Sequence, residues 1–355
     1  MKNQVLIPTS KDENPFFDSV LKFSQWRFDY GCLESNTENY SIVLIHWPEQ
    51  LFNWKEPSQE QLLQLEKQFA LWKKNIKVVY VVHNLQRHTG MTRNFKKLYE
   101  IVLGNCDAMV HLGKFSLELF RKKYPSVIHK YIPHPLYSEK FIIFKKDEAR
   151  KRLGISNDKL LVLAPGTIRS IEERNLILKA FKALKNKNKL LVVPRMFKKS
   201  LNIEFKGRQR LKKFIDVKKI LESFHNQDYL PEYKFNYGFM DFENLSLWLS
   251  ATDVVFIPRK DSLNSGNIFL GLTYKKLIVG PEIGNIKEFL EQFYLPTFNP
   301  QDDSSVSASL SKAVKMLKSD LPYNDLDLQA FTPEVIALQW DAFLNDLVKE
   351  TKQVL

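Results

Sequence analysis

Short apolar runs rich in β-branched residues alternate along the chain with longer stretches of helical period. Ser41-Ile42-Val43-Leu44-Ile45-His46, Lys77-Val78-Val79-Tyr80-Val81-Val82 and Asp107-Ala108-Met109-Val110-His111-Leu112 each have the length and composition of a buried strand. Between the first two, Leu62, Leu65, Phe69 and Trp72 recur on one helical face, and Ser58 and Gln61 have the spacing of a capping box. A second helix is predicted from about Thr92 to Leu103. Alternation of this kind implies an α/β domain, a parallel sheet with helices on both faces.

The pattern thins at Ile132-Pro133-His134-Pro135-Leu136-Tyr137, where two prolines suit an interdomain connection. It then restarts. Leu160–Ala164 reads as a strand, Pro165-Gly166 as a turn and Glu172–Leu184 as a helix, and further strands follow at Leu190–Val193, Asp253–Ile257 and Leu277–Val279. The last helix has Thr332 as a plausible N-cap, Pro333 at its first position and an apolar stripe of Ile336, Trp340, Phe343 and Leu347. The chain therefore divides into an N-terminal unit over residues 1–137, a C-terminal unit over 138–330 and a terminal helix over 331–355.

A length of 355 residues with 44% hydrophobic content suits two α/β domains with sizeable cores. The two cysteines, Cys32 and Cys106, imply no disulfide framework, and a reducing compartment is the simpler expectation. The opening Met1-Lys2-Asn3-Gln4-Val5-Leu6-Ile7-Pro8 is too short in apolar residues for a signal peptide, and no stretch approaches the ~20 apolar residues that span a bilayer. The formal charge of +13 favours anionic partners, nucleotide phosphates, polyprenyl phosphates or an acidic membrane surface, though it serves solubility equally well. Ten basic residues against two acids crowd Arg195–Lys219; a solvated loop and helix face is the simpler account of them. No motif of a nucleic-acid-binding class accompanies them. Asp325 and Asp327 form an isolated DxD, read as a solvated turn, and zinc is unsupported because HExxH is absent and both cysteines lie far from the histidines. No metal site is expected.

In open parallel sheets ligands bind beyond the carboxyl ends of the strands. Gly166 would permit a sharp turn after Leu160–Ala164, and Arg169 follows near a helix start, where its planar fork suits a diphosphate. Arg195 follows the next strand in the same way. After Asp253–Ile257 comes Pro258-Arg259-Lys260-Asp261-Ser262-Leu263-Asn264-Ser265-Gly266-Asn267 and then an apolar helix, an arrangement that offers backbone amides to phosphate; ordinary capping by Asn264 or Ser265 fits it as well. In the first half His46-Trp47-Pro48-Glu49 and His83-Asn84 each follow a strand, with His88 five residues on. Histidine and glutamate suit general-base work or sugar hydroxyl contacts.

Taken in order, His46-Trp47-Pro48-Glu49, His83-Asn84-Leu85 with His88, and Ile132-Pro133-His134 resemble the N-terminal half of bacterial GT-B glycosyltransferases. Gly166–Arg169, Tyr237-Gly238-Phe239, Trp248–Val255 and Leu263-Asn264-Ser265-Gly266 through Gly280-Pro281 resemble the C-terminal half of a group-1, family-4-like member whose donor loop reads Asn-Ser-Gly. The resemblance covers nearly the whole chain. It implies two Rossmann-like domains facing across a cleft, the C-terminal helix crossing back to the first. It also implies a nucleoside-diphosphate sugar as donor substrate, with no cofactor and no metal.

By the same resemblance Arg169 and Arg195 steady the diphosphate, Asn264, Ser265 and Gly266 offer amides, Gly238 and Phe239 lie near the nucleobase, and His83 faces the reacting sugar. The family's two donor glutamates, eight residues apart, fall at Ser262 and Leu270, so ribose and sugar contacts pass to Glu282 or Glu288. Its usual lysine falls at Glu172, with Arg174 as a substitute. An inverting reaction needs a base, drawn from His83, His46, Glu49 or His88; a retaining one does not. The function implied is transfer of a UDP- or GDP-linked sugar to a glycan or polyprenyl-linked acceptor in surface-polysaccharide synthesis, in the cytoplasm, with the inner face of the plasma membrane as a peripheral site. Alternatives on the same fold are a sugar-nucleotide epimerase, a phosphorylase and a non-catalytic partner protein.

Overall fold

The computed structural model describes residues 3–11, 15–87, 90–199, 222–224, 226–227 and 230–350. The first sheet is built from β1 (Gln4–Ile7), β2 (Arg27–Tyr30), β3 (Ile42–Ile45), β4 (Lys77–Val82), β5 (Ala108–His111) and β6 (Ile128–Tyr131) in the order β2-β1-β3-β4-β5-β6. The second contains β7 (Leu160–Leu163), β8 (Lys189–Val193), β9 (Tyr233–Phe235), β10 (Val254–Phe256), β11 (Leu277–Pro281) and β12 (Thr297–Phe298) in the order β12-β11-β10-β7-β8-β9. Among the described residues every pairing is parallel. The strand order reverses between β1 and β3 in one sheet and between β7 and β10 in the other, and crevices open at such points.

Helices cover both faces. Those of the first half are α1 (Pro15–Leu21), α2 (Gln59–Asn75), α3 (Arg93–Asn105) and α4 (Lys114–Lys123). Those that follow are α5 (Lys146–Leu153), α6 (Ile171–Ala183), α7 (Phe242–Ala251), α8 (Gly266–Thr273), α9 (Gly284–Gln292), α10 (Asp303–Met316), α11 (Asp325–Gln329) and α12 (Pro333–Glu350). In α2 the capping box forms: the Ser58 hydroxyl accepts from the Gln61 amide at 3.2 Å and the Gln61 side chain accepts from the Ser58 amide at 2.9 Å. Its stripe of Leu62, Leu65, Phe69 and Trp72 is buried against β3 and β4, as the period requires.

The chain crosses between domains twice. It leaves the first through the buried segment after β6, where the Leu136 amide donates to the Phe331 carbonyl at 2.8 Å and the Tyr137 amide to the Thr273 hydroxyl at 2.9 Å. It returns through α12, whose Ile336, Trp340, Phe343, Leu344 and Leu347 share one core with Val5, Ile7, Phe16 and Phe17 of the first domain. Truncating a buried indole such as Trp340 costs roughly 3–5 kcal/mol, so this docking is a major part of the first domain's stability. Polar groups add to it: Asp341 accepts from the Ser24 hydroxyl and from the Gln25 amide.

One expectation is corrected. Asp325 and Asp327 do not form a turn but open α11, where Asn324 and Asp327 make a capping box and Asp325 pairs with Lys275 at 2.6 Å. Of the basic stretch Arg195–Lys219, residues 200–219 lie outside the described residues.

Candidate active site

A cleft of about 720 Å³ opens between the carboxyl edges of the two sheets. On the second domain's side it meets Gly166 and Arg169 after β7, Arg195 after β8, Arg259 after β10, and Ser265 and Gly266 at the start of α8. Facing them are Phe16 of α1, Trp47 after β3, Trp54, His83 after β4 and His134 after β6. Among the described residues, three arginines and no carboxylate line this space.

Two of the arginine positions, Arg169 and Arg259, are tied to one buried acid. Glu173 Oε2 accepts from the Arg169 amide at 2.8 Å and from Arg259 Nη1 at 2.8 Å; the same Nη1 reaches the Thr167 carbonyl at 2.8 Å. Arg259 and Glu173 are both about nine-tenths or more buried, so each charge is compensated by the other inside the domain. Burial lowers the Arg259 pKa, with Glu173 acting against it. The Arg169 guanidinium is held down to about 10, first by desolvation and then by Arg259, and stays cationic at neutral pH. Arg195 lies over the exposed Phe239 ring, 5.8 Å from its centroid, a cation–π contact on the outer lip of the cleft.

Glycine serves close approach here. Gly166 does not adopt a left-handed conformation; instead, a β-carbon on it would lie 2.4 Å from Asn267 Nδ2 and 2.8 Å from Arg259 Nη2. A β-carbon on Gly266 would meet the Tyr137 hydroxyl at 2.7 Å. Neither Asn264 nor Ser265 caps α8: Ser265 makes no side-chain cap bond, and the Asn264 amide reaches across to the first domain. The first turn of α8 thus presents its amides and the positive end of its dipole toward the cleft.

On the opposite wall His83 Nε2 and His46 Nε2 are 2.9 Å apart, and the Trp47 ring stacks on His83 at 4.2 Å. His46 sits behind His83 and does not line the cleft. Its pKa is held well below the ordinary value, chiefly by burial and then by His83 and His134, so it rests neutral. Trp54 has φ +64°, a strained conformation for a bulky side chain, and follows Asn53 at φ +52°. That pair of left-handed residues holds a half-exposed indole at the cleft.

The sequence-derived candidates therefore separate. Gly166, Arg169, Arg195, Phe239, Ser265, Gly266 and His83 line the cleft, as does Asn264, whose side chain is committed to holding the domains together. Gly238 lies beside the cleft, its amide bonded to Asn236 Oδ1. Glu49 is not at the cleft; it is buried, accepting from the Tyr99 hydroxyl at 2.9 Å. Glu288 is also elsewhere, its two oxygens accepting from the Lys114 and Phe115 amides at 3.0 Å each, where they cap α4. Glu282 accepts from the Thr297 hydroxyl, Arg174 is buried on the Asn226 carbonyl, and neither lines the cleft. His88 lies outside the described residues. Arg259, Glu173 and the His134–Tyr137 pair, 3.1 Å apart, were not singled out from the sequence. Arg259 stands at the same strand-end position as Arg169 and Arg195, which was the available signal.

Two facing Rossmann-like domains, a cleft between their sheet edges and a C-terminal helix returning to the first domain define the GT-B fold. Among solved structures, sucrose-phosphate synthase from Thermosynechococcus elongatus matches 96% of this chain and 81% of its own, with a TM-score of 0.65 and 16% identity. HepE of Anabaena, solved in complex with UDP and glucose, matches 99% of this chain and 100% of its own, with a TM-score of 0.60 and 12% identity. A glycosyltransferase from Rickettsia africae matches 98% of each chain, also at 0.60 and 12%. At such identities the likeness is one of fold. No protein-family model matches the sequence, and no curated protein matches it significantly. Among the described residues no helix is long and apolar enough to cross a membrane, and no three His, Cys, Asp or Glu side chains gather where they could hold a metal ion.

Proposed function

We propose that this protein is a glycosyltransferase that takes a sugar from a UDP- or GDP-linked donor and passes it to a glycan or polyprenyl-linked saccharide in surface-polysaccharide synthesis. The observation that carries this is the division of one cleft into a wall of three arginines with the start of α8, and a facing wall of His83, Trp47 and Trp54. When the bond between sugar and diphosphate breaks, negative charge builds on the leaving phosphate. Arg169, Arg195 and Arg259 with the first amides of α8 are placed to stabilise that charge in a partly desolvated site, typically the largest catalytic contribution. The aromatic wall suits the apolar face of an acceptor sugar. His83 is the group placed to take the acceptor's proton in an inverting reaction, with His46 fixing its ring. A uridine donor is the first choice, since the similarly folded HepE was solved with UDP and with UDP-glucose. Exposed Arg93, Lys96, Lys97 and the Arg121-Lys122-Lys123 end of α4 support contact with an anionic membrane at the cytoplasmic face.

The deciding experiment is thermal-shift screening against UDP, GDP, ADP and dTDP and their sugars, followed by assay of sugar release. A ligand bound only by the folded cleft raises the melting temperature. One nucleotide should stabilise the wild type and do so much less in Arg195→Ala. If none of them shifts the melting temperature, the donor assignment is wrong. Conversion of a nucleotide sugar without any acceptor would point to an epimerase instead.

A further inference from the structure

The first domain holds a second cleft, of about 860 Å³, at the carboxyl ends of β1, β2 and β3. This is the switch point of the first sheet, where the chain leaves β1 to one side and β3 to the other. The donor-side cleft occupies the corresponding switch point, β7 to β10, in the second sheet. The two clefts differ sharply in chemistry.

Amide side chains dominate the second cleft. Gln61, Gln64 and Gln68 of α2 are spaced three and four apart and so share one helix face; the Gln61 oxygen is taken by the Ser58 amide in the capping box, which leaves its NH2 group and the whole amides of Gln64 and Gln68 to face the cleft. Gln50 and Asn53 belong to the opposite wall. An amide offers both donors and acceptors, which is what a sugar hydroxyl, itself both donor and acceptor, requires. Among the described residues the charged lining groups cancel, Lys55 and Lys67 against Glu34 and Glu56, whereas the first cleft has three arginines and no acid. One further group asks for a partner. Thr9 lines this cleft at 7% exposure, and its hydroxyl has no hydrogen-bond partner among the described residues. A buried hydroxyl left unpaired is costly, and a bound hydroxyl would satisfy it.

We infer that this cleft binds an uncharged run of saccharide, the remote part of an acceptor whose reacting end lies at His83. The two clefts meet at one turn: Trp54 lines the first, and its neighbours Asn53 and Lys55 line the second. Asn53 and Trp54 are consecutive left-handed residues, at φ +52° and +64°, and this turn sends their side chains to different clefts. A sugar chain passing over Trp54 would occupy both sides. That the occupant is the acceptor rests on the proposed transferase activity; the binding itself does not.

The test uses Cys32, which lines the second cleft and is exposed while Cys106 is buried. A trifluoromethyl label on Cys32 of the full chain is followed by fluorine NMR during titration with maltotetraose, cellotetraose and chitotetraose, with tetragalacturonate as the anionic control. At least one neutral tetrasaccharide should move the resonance, and Gln64→Leu/Gln68→Leu should weaken that binding roughly tenfold or more. Gln64→Glu/Gln68→Glu, at positions that remain solvent-accessible, should weaken it as well and guards against a folding defect, checked by an unchanged unfolding midpoint. Silence from all three neutral sugars, preference for tetragalacturonate, or equal binding by both variants overturns the inference. Tetrasaccharide binding without any nucleotide response would sink the transferase proposal and leave this cleft standing; nucleotide response without tetrasaccharide binding would do the reverse.

Discussion

The side-chain amide of Asn264 donates to the main-chain carbonyl of His83 at 2.8 Å. The loop that opens the arginine wall thus hangs from the strand end that carries the opposing histidine. The same amide reaches the Val82 carbonyl at 3.2 Å, and Asn264 Oδ1 accepts from Asn285 at 2.6 Å, which in turn holds Ser116. With Glu288 on the start of α4, these bonds set the spacing of the two walls. Gly113 permits it, since a β-carbon there would lie 2.3 Å from Asn285 Cγ.

Asn264→Ala should open this contact. It strands two carbonyls near the cleft floor and takes one of the two partners of the Asn285 amide, at a cost of about 1–3 kcal/mol. Urea denaturation should register the loss, and small-angle scattering should show a larger radius of gyration. An unchanged denaturation curve would mean that the domains are held elsewhere.

Arg259→Met should destabilise far more than its size suggests, because it leaves Glu173 buried without its counter-charge, at about 3–5 kcal/mol. Glu173→Gln in the same chain should recover much of that loss. A double-mutant cycle by chemical denaturation measures the coupling, and additivity of the two changes would refute it. Donor binding should remain impaired in both variants, since the cation at the β7–β10 switch point is gone.

Trp54→Gly and Trp54→Ala should part company. Glycine accepts the φ of +64° without a β-carbon clash, so it should be more stable than the alanine variant by about 1 kcal/mol. Both should raise the acceptor KM while leaving nucleotide binding unaltered. Should the glycine variant prove the less stable, the strain at this position is not what the backbone angle indicates.

Stability should fall as the solution is acidified below about pH 6.5. His46, His111 and His134 are all depressed by burial, His134 to about 4 and His111 to about 3. A histidine with a lowered folded pKa binds its proton in the unfolded chain first. Its contribution is therefore complete above the unfolded pKa and drains away as pH drops toward the folded one. Each such group adds a slope of about 1.4 kcal/mol per pH unit. His134→Gln should flatten the slope between pH 6 and 5 by about that amount in urea unfolding; an identical slope would show that His134 is protonated in the folded protein.

Much of the architecture was legible in the order of residues. Strand runs at Ser41, Lys77, Asp107, Leu160 and Asp253, the Ser58 capping box and the α12 stripe all depend on neighbours a few positions away. Burial energy acts through those local periods. Strand ends then named Gly166, Arg169, Arg195 and His83 as cleft residues, because parallel sheets present all their carboxyl ends on one edge. Arg259 shared that signal but stood in a loop rich in capping residues.

Only the tertiary structure could sort the side chains that local pattern leaves equivalent. His46 and His83 both end a strand, yet one backs the other. Glu49 follows His46 by three residues, and a 3₁₀ turn over Pro48–Phe52 carries it away from the cleft to Tyr99. Glu288 and Asn285 find partners at 114–116, about 170 residues away, and Asn264 finds His83 across 181. Such pairings are decided by which faces the two domains bring together. The sequence alone thus determined two parallel α/β units and their candidate cleft edges, because backbone pairing and apolar burial are set by short-range order. The closure of the domains, the acid that pairs with Arg259 and the second, amide-lined cleft were decided by the fold, because each depends on groups that meet only after distant segments have packed.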